Sequence, residues 1–232
     1  MITRRPADER GHANHGWLDA RHTFSFAGYR DPTHDHFRDL RVMNEDHIAA
    51  GRGFPTHPHE NMEILTYVLE GELEHRDSMG NGATIRPGTI QTMSAGTGIM
   101  HSEANPSQDN PIHLYQIWII PEAQGLKPSY GEYTFDTDAR KGRLQLIASR
   151  DGRENSAKIN QEISLYTTLL DKGQSVTYSL ASGRYAWVQV ARGSITLNGE
   201  SYDTGDGAAI SEESALTLTG QETAEVLLFD LA

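Results

Sequence analysis

The chain has no cysteine among its 232 residues. This absence excludes disulfide bonds, thiolate metal ligands and a cysteine nucleophile. The chain also lacks an apolar run long enough to span a bilayer, and its first residues, MITRRPADERGHANHG, lack the apolar core of a secretory signal. We therefore expect a soluble, cytoplasmic protein, and we expect it to be a monomer.

Clusters of positive charge are missing as well. The formal net charge is −12, from 20 lysines and arginines against 32 acidic residues. Residues 1–120 and 121–232 share this acidic excess equally. Proteins that bind nucleic acid directly carry a basic patch or stripe, so we expect no direct nucleic-acid partner. The acidity is typical of a solvated surface.

Long amphipathic helical patterns are scarce, and short runs rich in β-branched and aromatic residues take their place. Turn residues, drawn from 22 glycines and nine prolines, separate these runs. The clearest runs are Ile64–Leu69, Ile112–Ile120, Trp187–Val190 and Glu225–Phe229. Asn81–Gly82 and Asn198–Gly199 are strong candidates for hairpin turns. The pattern predicts an all-β sandwich or barrel.

A weak internal repeat divides the chain. The segment Tyr67–Glu74 resembles Gln189–Thr196, with a glycine at the fifth position of each. Two copies of one β-barrel unit would explain both this repeat and the chain length. We expect one barrel over residues 1–122 and a second over residues 123–232. The polar segment Pro121–Gly142 is the predicted connection.

All eleven histidines lie between residues 12 and 113. Two patterns among them, His57-Pro-His59 and His101-Ser-Glu103, place potential metal ligands two residues apart. Residues i and i+2 of a strand point to the same face, so two neighbouring strands could supply four ligands. Three neutral imidazoles and one carboxylate suit a divalent transition metal, and iron in particular where coordination positions stay open.

The carboxylate ligand has an alternative. Glu63 has the same strand parity as His57 and His59, so it could take the place of Glu103. If it is no ligand, we expect it to support the site or to lie at the surface. The second barrel has no histidine and is expected to hold no metal.

The remaining histidines and the aromatic residues have simpler interpretations. His34 and His36 lie in a polar, proline-containing segment and are expected not to bind metal. The same default applies to six further histidines: His12, His15, His22, His47, His75 and His113. We expect Trp17, Phe24, Phe26 and Trp118 in the core. The same core position is expected for Phe54, but because it lies beside the ligand strand it is the best candidate for an exception that contacts substrate.

Longer strings resemble the pirin family of bicupins. Gly51-x5-His57-x-His59 resembles the first cupin motif, and Gly88-x5-Ser94-x-Gly96 followed by His101 resembles the second. Two departures are Ser94, where cupins usually have proline, and Ile64, where a typical cupin has glutamate. The more specific strings are Arg10–Asp19, His22–Phe26, Phe54–Glu63 and Met93–Glu103. The resemblance is strong over the first 120 residues and mainly architectural afterwards.

This resemblance, closest to the bacterial pirins with quercetin 2,3-dioxygenase activity, implies two tandem cupin barrels. It implies an N-terminal iron(II) held by His57, His59, His101 and Glu103, and so it favours Glu103 over Glu63. Other divalent transition metals could occupy the same ligands. The implied reaction binds a flavonol through its 3-hydroxyl and cleaves it with dioxygen, releasing carbon monoxide. Glu103, the only carboxylate in the set, is the candidate catalytic base.

A second class of function stays open. Pirin-like proteins also resemble metal-dependent regulators, in which the iron senses redox state and the protein acts through a protein partner. A third class, another cupin oxygenase or an isomerase, remains because the cupin fold hosts many chemistries. Turnover efficiency would separate the first two classes, and product identity would separate the first from the third.

Overall fold

The fold is known from a computed structural model that describes residues 1–232. It contains 22 β-strands, numbered β1 to β22 along the chain, two short 3₁₀ turns and no α-helix. The predicted all-β class is therefore confirmed. Neither 3₁₀ turn approaches the length and apolarity that a helix needs to cross a bilayer. The chain forms two compact units, which we call the N-terminal and the C-terminal barrel.

The N-terminal barrel comprises residues 11–135 and 157–161. Its strands are β2 (Gly11–Asn14), β3 (Leu18–His22), β4 (Leu40–Ile48), β5 (Gly53–His59), β6 (Glu63–Glu70), β7 (Leu73–Asp77), β8 (Gly82–Ile85), β9 (Thr89–Ser94), β10 (Ile99–Ala104), β11 (Ile112–Ile119), β12 (Ser129–Thr134) and β14 (Ala157–Lys158). All of these except β14 form a seven-stranded sheet in the order β12-β9-β6-β11-β4-β3-β2 and a four-stranded sheet in the order β5-β10-β7-β8.

The C-terminal barrel comprises residues 1–10, 136–156 and 162–232. Its strands are β1 (Ile2–Arg5), β13 (Gln145–Ser149), β15 (Ser164–Leu170), β16 (Ser175–Ser179), β17 (Tyr185–Arg192), β18 (Ser194–Leu197), β19 (Glu200–Asp203), β20 (Gly207–Ile210), β21 (Ala215–Gly220) and β22 (Ala224–Leu231). Its larger sheet contains β1-β20-β17-β22-β15-β13 in that order, and its smaller sheet is β16-β21-β18-β19.

The internal repeat is visible in these strand orders. The run β9-β6-β11-β4 of the first barrel matches β20-β17-β22-β15 of the second, and β5-β10-β7-β8 matches β16-β21-β18-β19. Gly71 and Gly193 occupy the same hairpin in the two copies, with φ of 78° and 72°. Only glycine adopts this left-handed conformation without strain. The chain is therefore built from two tandem cupin barrels.

Strand pairing assigns some segments differently from the expected boundary at residue 122. Strand β1 pairs with β20, with Ile2 opposite Ile210, and so belongs to the C-terminal barrel. Strand β12, inside the predicted connection, pairs with β9 and belongs to the N-terminal barrel. The compact units are thus interleaved along the chain, because edge strands join the sheet whose backbone groups they can pair with.

The two predicted hairpin turns have different outcomes. Asn198–Gly199 forms a two-residue turn, because Leu197 pairs with Glu200 and both turn residues have positive φ. The prediction for Asn81–Gly82 is wrong. Gly82 pairs with Arg76 inside the strands, so the loop is longer than two residues.

Apolar side chains fill the C-terminal barrel. Val176 of β16 and Leu216 and Leu218 of β21 lie in one buried cluster with Val188, Val226 and their neighbours. Strands β16 and β21 are the counterparts of β5 and β10, which carry the histidine patterns of the first barrel. The N-terminal barrel has aliphatic clusters around Leu73 and Ile64, and also an open cavity.

The hairpin glycine of the second copy allows a test of the packing. A Cβ atom at Gly193 would lie 2.2 Å from the carbonyl oxygen of Thr223, whereas one at Gly183, also at positive φ, would meet nothing within 4 Å. We expect Gly183→Ala to lower the free energy of unfolding by about 1 kcal/mol through backbone strain alone. Gly193→Ala should cost roughly 2 kcal/mol more, because the overlap with a backbone atom adds to that strain. Urea unfolding measures both values, and equal losses would contradict the close approach of Thr223 to Gly193.

Candidate metal centre

The two histidine patterns lie on adjacent antiparallel strands. In the pairing of β5 with β10, His57 is directly opposite His101 and His59 is opposite Ile99. The register then shifts, so that Glu103 lies opposite Phe54. Ring nitrogens of His57, His59 and His101 lie within 4.8 Å of one another, and a carboxylate oxygen of Glu103 lies within the same distance of His101. The four side chains of the spacing argument thus fall into two groups that share His101, and the group with Glu103 also contains His75.

The imidazole of His57 presents a lone pair towards His101. Its Nδ1 atom is 2.8 Å from the carbonyl oxygen of Pro55. A carbonyl oxygen can only accept, so Nδ1 carries the proton of the neutral ring and Nε2 is unprotonated. This Nε2 atom lies 3.0 Å from Nε2 of His101.

A chain of hydrogen bonds also fixes the tautomer of His101, again with the proton on Nδ1 and the lone pair on Nε2. Burial opposes ionisation of Asp77, but hydrogen bonds from Asn81, His75 and Met79 outweigh it and lower the pKa of this carboxyl. The resulting carboxylate accepts from Nε2 of His75 at 3.3 Å. Nδ1 of His75 is then an acceptor, and Nδ1 of His101 donates to it at 3.4 Å. Nε2 of His101 is left with a lone pair.

Two nitrogen lone pairs that face each other at 3.0 Å repel unless a cation lies near both. About 3.0 Å is also the separation of two nitrogen ligands that bind one ion at about 2.1 Å and at a right angle. Burial, followed by the neighbouring histidines, lowers the pKa of His101 to about 3 and that of His59 to about 4. His101 is therefore unprotonated near neutral pH, and the donor set fits a divalent transition metal.

Glu103 contributes a buried carboxyl to this group, with 4% of its surface exposed. Its Oε1 atom accepts a hydrogen bond from Nε2 of Gln116 at 2.7 Å. Burial raises the pKa of Glu103 to about 7, although the bond from Gln116 acts in the opposite direction. A carboxyl that is costly to ionise in isolation is stabilised as the anion by a nearby cation.

The alternative carboxylate, Glu63, is engaged elsewhere. It accepts hydrogen bonds from Oγ of Ser94 at 2.6 Å and from the backbone N–H of Asn160 at 3.1 Å. The parity argument fails because β5 ends at His59, the chain turns at Asn61 with φ of 48°, and Glu63 begins β6 in the other sheet. Glu63 is 3% exposed, so it is not a surface carboxylate either.

The histidine group lines a cavity of about 350 Å³. Its aromatic walls are Phe26, Phe54 and Trp118, and the Trp118 ring stands 4.9 Å from His59, almost perpendicular to it. Phe54 was the candidate exception to a core position, and it lines the cavity together with Phe26 and Trp118, although Trp118 also packs against the buried cluster around Ile64. Phe24 is buried as predicted, and Trp17 packs edge-on against Phe54.

Polar side chains also reach the cavity, among them Asn44 and Asp46 of β4 and Gln116 of β11. Burial raises the pKa of Asp46 to about 8, and the nearby Glu103 and Glu45 act in the same direction. Sequence reasoning missed all three residues, because a polar residue inside an apolar strand does not reveal which face it occupies.

The other histidines divide into two groups. His34 pairs with Asp31 at 2.8 Å and His36 with Asp35 at 3.2 Å, and neither belongs to a group that could hold a metal. His75 was expected to be an ordinary structural residue, yet it contacts His101. The available signal was the His75-x-Asp77 spacing, which places both side chains on one face of β7.

Comparisons with known proteins agree with this architecture. Residues 3–119 match the family model described as pirin, and residues 146–231 match the model of the quercetinase C-terminal cupin domain. The chain is 53% identical over 231 residues to quercetin 2,3-dioxygenase of Escherichia coli, which covers all of this chain and 99% of that protein. It is 47% identical over the full length of both chains to a putative quercetin 2,3-dioxygenase of Pseudomonas aeruginosa.

Among solved structures, the fold is similar to that of the bacterial pirin YhhW from Escherichia coli in complex with nickel(II). The TM-score is 0.95 and the sequence identity is 52%, with 100% of this chain and 99% of that chain covered.

The hydrogen bond from His101 to His75 leads to a prediction. We expect His75→Phe to weaken nickel(II) binding by roughly 10- to 100-fold, because the ring can still stack on Tyr130 but no longer accepts from Nδ1 of His101. The matched control is His113→Phe, since His113 pairs with Glu45 and lines no part of the cavity. Titration of metal-free protein by calorimetry gives the affinities, and thermal unfolding checks the fold. Equal affinity in the two variants would show that His75 has no part in preparing His101.

Proposed function

The chain belongs to the pirin family of bicupins, and from this membership and the geometry of the cavity we propose that it is a metal-dependent dioxygenase that cleaves flavonols such as quercetin. The observation that carries the proposal is the pair of facing lone pairs on His57 and His101 in the wall of an aromatic cavity. A cavity volume of about 350 Å³ falls within the range of roughly 300–1,000 Å³ typical of small-molecule sites. The relatives named quercetin 2,3-dioxygenase support a flavonol as the substrate.

The proposed cofactor is one iron(II) ion per chain, and other divalent transition metals could replace it. The proposed ligands are His57, His59, His101 and Glu103. When bound, the ion would supply a Lewis acid that lowers the pKa of the flavonol 3-hydroxyl and a redox partner for dioxygen. The apolar filling of the C-terminal barrel around Leu216 and Leu218 supports a single metal in the chain.

The protein's own residues orient the substrate and receive its proton. Phe26, Phe54 and Trp118 offer ring faces and edges to the flat flavonol and keep water out of the cavity. Glu103 accepts the proton of the 3-hydroxyl, and Gln116 holds the carboxylate in a fixed orientation through Oε1. This places a base and an apolar binding surface in one cavity.

The proposed reaction consumes one dioxygen per flavonol. Both oxygen atoms enter the products as the central ring opens to an ester, and one ring carbon leaves as carbon monoxide. The regulatory alternative, in which the metal senses redox state and the protein acts through a partner, has no observation of its own in the structure. It is the interpretation that a negative result in the following test would favour.

The proposal predicts turnover that depends on the site. Iron-loaded protein should consume oxygen and release carbon monoxide from quercetin in equal amounts, whereas a flavone without the 3-hydroxyl should be inert. His101→Ala should lose this activity while remaining folded, because only a side chain of the site is removed. Oxygen uptake and carbon monoxide are measured for wild type, His101→Ala and free iron together. If wild type releases no more carbon monoxide than free iron does, the enzyme proposal is contradicted.

Substitutions of Glu103 and Glu63 should have different effects on metal binding and on stability. Glu103→Gln should reduce metal affinity and turnover by roughly 100-fold, because a neutral amide is a poor ligand and a poor base. Glu63→Gln should retain the metal but lose about 1–3 kcal/mol of unfolding free energy, since its hydrogen bonds to Ser94 and Asn160 are disturbed. Metal analysis and urea unfolding distinguish the two. Loss of metal from the Glu63 variant alone would reverse the assignment.

A further inference from the structure

Asp46 is a buried carboxyl that no protein group satisfies. It is 4% exposed, lines the cavity, and has neither a hydrogen bond nor an ion pair with another residue. It follows Asn44 by two residues on β4, so the two side chains share the inner face of the sheet. A buried carboxyl without a partner costs several kcal/mol, which points to a partner that enters the cavity from outside the protein.

No polar group around Asp46 is hydrogen-bonded to it. Its cross-strand neighbours are Ala20 on β3 and Leu114 on β11, which are both apolar and buried. The next row towards the metal centre is polar and bonded to other residues, although Oε1 of Gln116 has no partner in the protein. There Asn44 bonds to His22 at 3.0 Å and Gln116 bonds to Glu103 at 2.7 Å. Asp46 is therefore the carboxyl of the cavity for which neither oxygen has a hydrogen bond to the protein, whereas Oε1 of Glu103 is bonded to Gln116.

Its position relative to the metal centre indicates what that partner is. Asp46 lies one row further along β4 than Asn44, about 7 Å away along the strand, and belongs to neither group that could hold the metal. A phenolic hydroxyl can pair with Asp46 in either protonation state, because it donates to a carboxylate and also accepts from a carboxylic acid. The aromatic walls of the same cavity favour a ring that carries such a hydroxyl.

We propose that Asp46 is a specificity-determining residue that hydrogen-bonds a hydroxyl on a ring of the flavonol other than the ring bearing the 3-hydroxyl. The site would then select polyhydroxylated flavonols over the bare 3-hydroxyflavone skeleton. A site built to bond a hydroxyl discriminates strongly against an analogue that lacks it, since its own polar group is then left unpaired. This inference rests on the proposed function, because it takes a flavonol as the occupant of the cavity.

The test compares quercetin with 3-hydroxyflavone, which lacks the hydroxyls of the outer rings. Wild type should prefer quercetin, and Asp46→Leu should weaken quercetin binding and raise its KM by roughly 10- to 100-fold with little change in kcat. The same variant should alter 3-hydroxyflavone less than about threefold, since no bond is lost. Asp46→Asn, which keeps hydrogen-bonding atoms, should fall between wild type and Asp46→Leu for quercetin.

The control variant is Asp19→Leu, which removes a half-exposed carboxyl from β3, next in the chain to two residues that line the cavity. It should leave the preference between the two flavonols unchanged. Dissociation constants are measured without oxygen on iron-loaded protein, from quenching of tryptophan fluorescence, and kcat and KM are measured in air. Thermal unfolding confirms that each variant is folded.

The outcomes separate this inference from the proposed function. If Asp46→Leu loses affinity equally for both flavonols, or loses no affinity for quercetin, the role of Asp46 is overturned even if turnover is normal. Suppose that wild type binds quercetin more tightly than 3-hydroxyflavone in the absence of oxygen and that Asp46→Leu removes this difference. The role of Asp46 is then supported even if wild type releases no carbon monoxide. In that case the dioxygenase proposal alone would fail. A wild type that binds both flavonols equally well would overturn the specificity proposal.

Discussion

The repulsion between Nε2 of His57 and Nε2 of His101 is the constraint on which the site depends. It arises because the pairing of β5 with β10 sets the two rings opposite each other, and because separate hydrogen bonds hold both protons on the far side. His101 does not relieve it by taking up a proton at neutral pH, since burial and then the neighbouring histidines lower its pKa to about 3. The protein thus stores an unfavourable arrangement that a bound cation converts into a favourable one.

Residues outside the lining of the cavity support this arrangement. Asp77 accepts backbone hydrogen bonds from Met79 and Asn81, which close the loop between β7 and β8, and it also holds His75. The Asp77 carboxylate therefore stabilises the loop and also determines which nitrogen of His75 carries the proton. The loop and the metal centre are consequently parts of a single hydrogen-bonded structure, although the loop lines no part of the cavity.

Much of the fold and the centre of the site could be predicted from the sequence, because both depend on local patterns. Strand parity identified His57, His59, His101 and Glu103, and the repeat indicated two barrels. Parity failed at Glu63, where a turn at Asn61 separates it from β5. It also gave no signal for residues such as Asp46, since long-range register decides which polar residues of a buried strand face a cavity.

The interleaving of the two barrels has a consequence for synthesis on the ribosome. The N-terminal barrel has all its residues once the chain reaches residue 161, so the part that carries the histidine group can fold early. Strand β1 is made first of all, yet its partner β20 appears about 200 residues later. During that interval β1 presents unpaired backbone groups. The first strand that the ribosome makes is therefore among the last to pair with its neighbour in the sheet.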